Sequence, residues 1–205
     1  MEKIDFRKHF ADFYSVPKNK IVIVDVPEMN YLAVDGIGDP NISKPFQEAI
    51  EALFSLSYTL KTSIKSGSLG IDYGVMPLEG QWWMDDMKDF SMDRKDEWKW
   101  SAMIMQPDFI TNDMVDKSKK DLSGKKNLAA LHLVRLENFF DGLCAQILHI
   151  GPYSEEPPTI TKLHNYIHEN GYELTGRHRE IYLNDMRRTA PEKLKTIIRQ
   201  PICKL

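Results

Sequence analysis

The chain has 205 residues, of which 42% are hydrophobic and 28% charged, so it can bury an ordinary core without metals or disulfides. A formal net charge of −3 gives no electrostatic footprint for nucleic acid, and the cluster Lys117, Lys119, Lys120, Lys125 and Lys126 reads as a solvated loop rather than a phosphate-binding surface. Cys144 and Cys203 both lie in apolar strand-like runs, the opening Met1-Glu2-Lys3-Ile4-Asp5 has no apolar signal region, and no apolar run approaches the roughly 20 residues of a membrane span; a reduced, cytoplasmic protein without a membrane partner is the expectation.

In chain order, Lys20 to Val26 is β-branched and apolar and continues through Asn30 to Asp35 as a strand pair or one long bent strand, up to Gly36 and Gly38. From Ser43 to Ile64, residues Phe46, Ile50, Leu53, Phe54, Ser57 and Leu60 recur at helical spacing, with Ser43 as N-cap and Gln47 near the capping-box position. Gly67 and Gly70 end that helix. Ile71 to Trp83 reads as the next strand, and Trp98, Trp100, Met103 and Met105 alternate on a closing strand that ends at Gln106-Pro107. Between Pro107 and Leu128 a short helical stretch at 110–115 precedes a Lys-rich connection around Gly124, and the segment is expected to be a linker rather than part of a core.

The order then repeats. Leu133 to Tyr153 is an apolar strand ending in a Gly-Pro turn, Thr159 to Glu169 a helix stopped by Asn170-Gly171, Arg179 to Leu183 a strand, and Leu194 to Ile198 a closing strand that ends at Gln200-Pro201. The expected fold is therefore α+β: one domain over residues 1–205, built from duplicated strand-helix-strand-strand modules at about 20–108 and 130–205, with an antiparallel sheet and a central ligand cleft.

Four segments carry a resemblance to a known family: His149-Ile150-Gly151-Pro152-Tyr153, Asn170-Gly171-Tyr172, Glu180-Ile181-Tyr182-Leu183-Asn184-Asp185, and Lys195 to Pro201. They resemble the C-terminal signature of the GyrI-like (gyrase-inhibitor-like) small-molecule-binding family. Trp82-Trp83 followed by Lys99-Trp100 is similar to its stand-alone branch and extends the resemblance to nearly the whole chain; Met186 departs from it, standing where a proline commonly follows the Asp. The resemblance implies kinship with the effector-binding domains of multidrug-responsive transcription regulators. Those regulators place a helix-turn-helix ahead of the binding domain, and the residues before Ile21 are too few for one, so a DNA-bound sensor is not expected.

Strand alternation puts Glu180 on the same face as Tyr182 and opposite Ile181. A carboxylate among aromatic walls is partly desolvated, which suits recognition of a cation or a general base for water; the alternative is an exposed strand glutamate. Tyr153, after the Gly-Pro turn, offers a phenol to a ligand carbonyl or to developing negative charge, or is a packed loop aromatic. Trp82, Trp83, Trp100 and Tyr73 are candidate stacking surfaces, with at most one of the adjacent pair Trp82-Trp83 facing a cleft. His132, His149, His164 and His168 lack a His-Glu-x-x-His pattern, so no metal is expected. Gly67-Ser68-Leu69-Gly70 is a helix-ending loop rather than a nucleophile elbow, and no phosphate loop or dinucleotide fingerprint is visible.

The resemblance also implies an activity. Some stand-alone members are similar to hydrolases that open the strained cyclopropane of DNA-alkylating natural products, a detoxifying reaction on cyclopropanoid compounds that needs no cofactor. Glu180 would be the base and Tyr153 the donor to the departing oxygen, with Tyr182 and the tryptophans holding the flat ligand. The alternatives are a non-catalytic binder of planar or cationic compounds, or an interaction module with a protein partner such as gyrase. The oligomeric state is left open.

Overall fold

A computed structural model describes residues 2–85 and 92–205. In chain order the elements are β1 (Glu2–Ile4), α1 (Phe6–His9), α2 (Ala11–Tyr14), β2 (Ile21–Val26), β3 (Met29–Ile37), α3 (Lys44–Ser66), β4 (Ile71–Tyr73), β5 (Leu78–Trp83), β6 (Lys99–Gln106), α4 (Asn112–Ser123), β7 (Arg135–Phe139), β8 (Gly142–Ile150), α5 (Pro157–Glu169), β9 (Tyr172–Leu174), β10 (His178–Tyr182) and β11 (Lys195–Lys204). The fold is α+β. The chain forms two compact units, the first comprising Met1–His9 and Met29–Phe139 and the second Phe10–Glu28 and Phe140–Leu205.

In the first unit β7, β3, β6 and β5 lie side by side in an antiparallel sheet, while β1 and β4 pair in parallel. β6 reads as an almost unbroken buried run and β3 is buried from Tyr31 to Val34, as central strands covered on both faces are. Helix α3 covers this sheet with Phe46, Ala49, Leu53, Leu56, Leu60 and Ile64, a stripe at helical spacing. Its start follows from Ser43, whose side chain accepts a hydrogen bond from the Phe46 amide at 3.3 Å, and from Pro45 in the first turn. Gly36 is required because a Cβ there would stand 2.1 Å from the Trp100 ring.

Residues 107–128 differ from the expected linker. Thr111 caps α4 by accepting from the Met114 amide, and Val115 and Leu122 are buried, so this helix packs on α3 as part of the first core. The lysines occupy the remaining positions of the helix, which is why the segment looked solvated in sequence.

The second unit has its own antiparallel sheet, ordered β2, β8, β11, β10, with β9 on the far part of β11. Helix α5 packs Leu163 and Ile167 against Ala145, Ile147, Ile198 and Ile202. The apolar run from Leu133 to Tyr153 is two strands rather than one: Gly142, at φ 63°, takes a left-handed turn that other residues adopt at a cost and separates β7 from β8. The units therefore do not coincide with the sequence halves. Strand β2, from the first half, pairs with β8, and β7, from the second half, pairs with β3.

Beneath the second sheet is a buried ionic cluster. Asp141, its side chain 6% exposed, accepts from Arg179 Nη2 at 2.8 Å and from Arg199 Nη1 at 3.3 Å. Arg199 also donates to Gln146 Oε1 at 2.7 Å and to the Phe13 carbonyl at 2.8 Å, and Gln146 donates to the Asp12 carbonyl. Taking one partner from such a cluster leaves charge buried without its counterpart. Asp141→Ala should lower the unfolding free energy in urea by about 3–5 kcal/mol; a loss below about 1 kcal/mol, the range of exposed ion pairs, would show the cluster to be structurally idle.

Candidate functional site

Strand β10 sets the geometry. Its register against β11 places Ile181 opposite Ile197, both fully buried, and Glu180 opposite Ile198, which packs against α5, so His178, Glu180 and Tyr182 together take the face of the sheet that α5 covers. Tyr182 Oη donates to Glu180 Oε2 at 2.7 Å, and His178 Nε2 lies 3.2 Å from Glu180 Oε1. Glu180 is thus a sheltered carboxylate, 14% exposed, with one partner on each oxygen.

The β8–α5 connection brings a second set of groups to the same place. Gly151 takes φ 141° and Pro152 follows, so the chain turns sharply after β8 into a single helical turn, Tyr153–Glu155. His149 fastens this turn, its Nε2 3.2 Å from the Pro152 carbonyl and its Nδ1 3.0 Å from Thr159 Oγ1. Since a carbonyl only accepts, Nε2 carries a proton and donates it to Pro152. Held this way, the Tyr153 ring meets the Tyr182 ring edge to face, 5.4 Å between centroids at 72°.

Glu156, at the end of the turn and the start of α5, is 4% exposed. Burial first, then the charge of Glu180 and a side-chain hydrogen bond with it, push its carboxyl up to about 9. The Thr196 hydroxyl opposes the rise. Burial likewise pushes the Tyr153 phenol up to about 12, assisted by Glu156, Glu180 and Asp185. Tyr182 rises well above the ordinary phenol value through burial and then the charge of Glu180. Both phenols therefore stay protonated donors across the neutral range. His164 on α5 is pushed down to about 4, by burial and then by His178 and His168. The Cys144 thiol is pushed up to about 12 by burial and the Asp141 charge, which leaves it unreactive.

The other sequence candidates lie in the first unit. Trp82 and Trp100 are buried against Phe46, with centroids 5.5 and 4.9 Å away, and Trp82 also meets Trp98. Tyr73 is buried between Phe6 and Phe109, and its phenol is raised by burial. Trp83 is half-buried, on the strand face opposite Trp82. The structure thus gathers Glu180, Tyr182 and Tyr153 within one unit and holds Tyr73, Trp82 and Trp100 inside the core of the other. Sequence reasoning missed Glu156 and His178. A signal for Glu156 existed, a charged residue one helical turn after Tyr153 and directly before the Pro157-Pro158 helix start; the signal for His178 was its period-two relation to Glu180. Among the described residues, no three His, Cys, Asp or Glu side chains group as a metal site, and no helix is long and apolar enough to cross a membrane.

A family model described as the GyrI-like small molecule binding domain matches residues 19–202. Among solved structures, an uncharacterized conserved protein from Listeria innocua is 39% identical with a TM-score of 0.90, covering 98% of this chain and 100% of that one. A hydrolase from Listeria innocua is 38% identical with a TM-score of 0.84, again covering 98% and 100%. The C-terminal domain of EcmrR matches at 16% identity and a TM-score of 0.57, covering 91% of this chain and 98% of that one, a likeness of fold. No curated protein matches the chain.

The raised Glu156 carboxyl has a consequence for stability. Folding takes up a proton between the ordinary 4.5 and about 9, so stability present below that window is lost as pH rises through it. His164 works the other way, between its ordinary 6.5 and about 4, which leaves the range above pH 6.5 to Glu156. From pH 6.5 to 9, wild-type stability should fall more steeply than that of Glu156→Gln, by up to about 1.4 kcal/mol per pH unit in urea titrations. Parallel slopes would mean that Glu156 is ionised in the folded protein.

Proposed function

The chain belongs to the GyrI-like small-molecule-binding family, and on that premise we propose that it hydrolyses strained, cyclopropane-bearing aromatic electrophiles, a detoxifying reaction in which Glu180 activates water. The observation that carries this reading is the Glu180 carboxylate, sheltered yet fixed by the Tyr182 hydroxyl at 2.7 Å and His178 Nε2 at 3.2 Å. A carboxylate held so is oriented as a base before the substrate arrives. The 38%-identical relative from Listeria innocua described as a hydrolase supports the reaction class.

The bond accounting is simple. A water oxygen forms a bond to the cyclopropane methylene, its proton passes to Glu180, and the strained carbon–carbon bond breaks. The electron pair moves through the conjugated ring onto its oxygen, which becomes a phenolate as the ring turns aromatic and takes up a proton as the product leaves. Tyr153, kept neutral by burial, donates a hydrogen bond to that oxygen as charge develops. Tyr182, half-buried beside Glu180, offers a ring face for a flat ligand. Tyr73, Trp82 and Trp100 lie in packed core and would meet a ligand only after rearrangement.

A second reading, a non-catalytic binder of planar cations, is favoured by the same Glu180 lying beside the tyrosine rings. Incubation with a duocarmycin-type cyclopropane compound, followed by mass spectrometry, separates the two. Wild-type protein should form the ring-opened water adduct, and Glu180→Gln should form it about 10²–10⁴-fold more slowly. Equal rates would remove Glu180 from the chemistry, and binding without product by both proteins would favour the binding module.

A further inference from the structure

Glu156 is a buried titratable group that the reaction above leaves unused. Burying a carboxyl costs free energy unless it is paired or neutral. Glu156 is 4% exposed, and its Oε1 has no hydrogen-bond partner. The groups that act on it are Glu180 from β10 and Thr196 from β11, while Tyr153 stands in its own turn. Behind Glu180 are Tyr182 and His178, and His178 in turn acts on His164 of α5. Glu180 has a partner on each of its oxygens, whereas none of the groups acting on Glu156 is a cation. Two neighbouring carboxyls in such different surroundings divide the acid and base roles between them.

We propose, resting on the hydrolase reading, that Glu156 and Glu180 hold one proton between them and act as an acid–base pair, with Glu156 protonating the oxygen released on ring opening. In the resting enzyme Glu156 is the acid and Glu180 the carboxylate. As water attacks the methylene carbon, its proton moves to Glu180 and the cyclopropane bond breaks. The electron pair arrives on the conjugated oxygen, and the Glu156 proton forms the O–H bond there. The pair is then reversed, Glu180 protonated and Glu156 ionised. Glu156 opens α5 and Glu180 lies on the sheet face that α5 covers, and the proton returns to Glu156 across that shared side, so each turnover consumes one water and no proton from solvent. Tyr153, whose phenol stays protonated to about 12, stabilises the same oxygen without giving up its proton. The arrangement also fixes the net charge of the pair at −1, one compensating charge for a monocationic substrate.

The test compares wild type, Glu156→Gln and Glu156→Asp on the duocarmycin-type compound and on an analogue whose released phenol is made more acidic by an electron-withdrawing substituent. Glutamine keeps the shape and a hydrogen-bond donor but has no proton to give. The expected result is a wild-type kcat/KM that falls above about pH 9, and a Glu156→Gln enzyme slower by about 10²–10⁴-fold at neutral pH without that alkaline fall. The glutamine variant should lose much less on the acidified analogue, because a better leaving oxygen needs less protonation, and Glu156→Asp should recover part of the rate. A merely structural role would slow both substrates equally and leave the alkaline limb in place, and that result overturns the donor role while the hydrolase reading stands. Absence of product from the wild type overturns the hydrolase reading and the donor role with it. Urea melts at neutral pH confirm that the variants compared are folded.

Discussion

The second unit depends on a charge that cannot be left alone. Arg199, fully buried, spends its guanidinium on Asp141, Gln146 and the Phe13 carbonyl, and Gln146 passes the connection on to Asp12. Burying a guanidinium is tolerable only when its donors are matched in this way. The match for Arg199 of β11 is met by three separate stretches: residues 12–13, Asp141 and strand β8. Removing any one of them strands the charge, so the ionic cluster specifies which segments share the sheet as well as stabilising it. The sheet so specified carries β10, and with it the alternation that turns Arg179 to the ionic cluster and Glu180 and Tyr182 to the face that α5 covers.

Neighbouring groups at the candidate site differ sharply in their surroundings. Glu180 has a partner on each oxygen, while Glu156 is buried among groups that disfavour its ionised form. The phenols of Tyr153 and Tyr182 border the same carboxyls and are raised by them, which keeps both as donors.

Much of the fold was legible in sequence. The period and Ser43 cap of α3 predict it to within two residues of its end, and Asn170-Gly171 marks the end of α5. The family signature from His149 to Pro201 was legible too, since it is local. What sequence patterning could not supply is non-local. Nothing in Arg135 to Phe139 says that it pairs with β3, because any apolar strand of matching alternation would satisfy the same pattern. Helix α4 was obscured by its lysines, which dominate composition although Val115 and Leu122 decide its packing. For the site, alternation alone placed Glu180 beside Tyr182, but Glu156 reaches them through a turn whose direction depends on Gly151 and the His149 hydrogen bonds. The aromatic candidates illustrate the opposite failure: Trp82 and Trp100 are conspicuous in sequence, yet a large ring is as useful for filling a core as for meeting a ligand, and both are buried.

The pairing of β2 with β8 and of β7 with β3 also bears on how the chain is made. A ribosome delivers β2 early, and its hydrogen-bonding neighbour, Gly142–Ile150, emerges only after the whole of the first sheet has been synthesised. During that interval β2 is an apolar ribbon with no lateral partner, and β3 waits with one edge open until Arg135–Phe139 arrives. Truncated products of translation would display both open edges permanently, and a cell is obliged to shield or degrade them. The interleaving that ties the sequence halves together thus turns synthesis of this protein into an all-or-nothing event, in which no early portion of the polypeptide can be released as a finished piece.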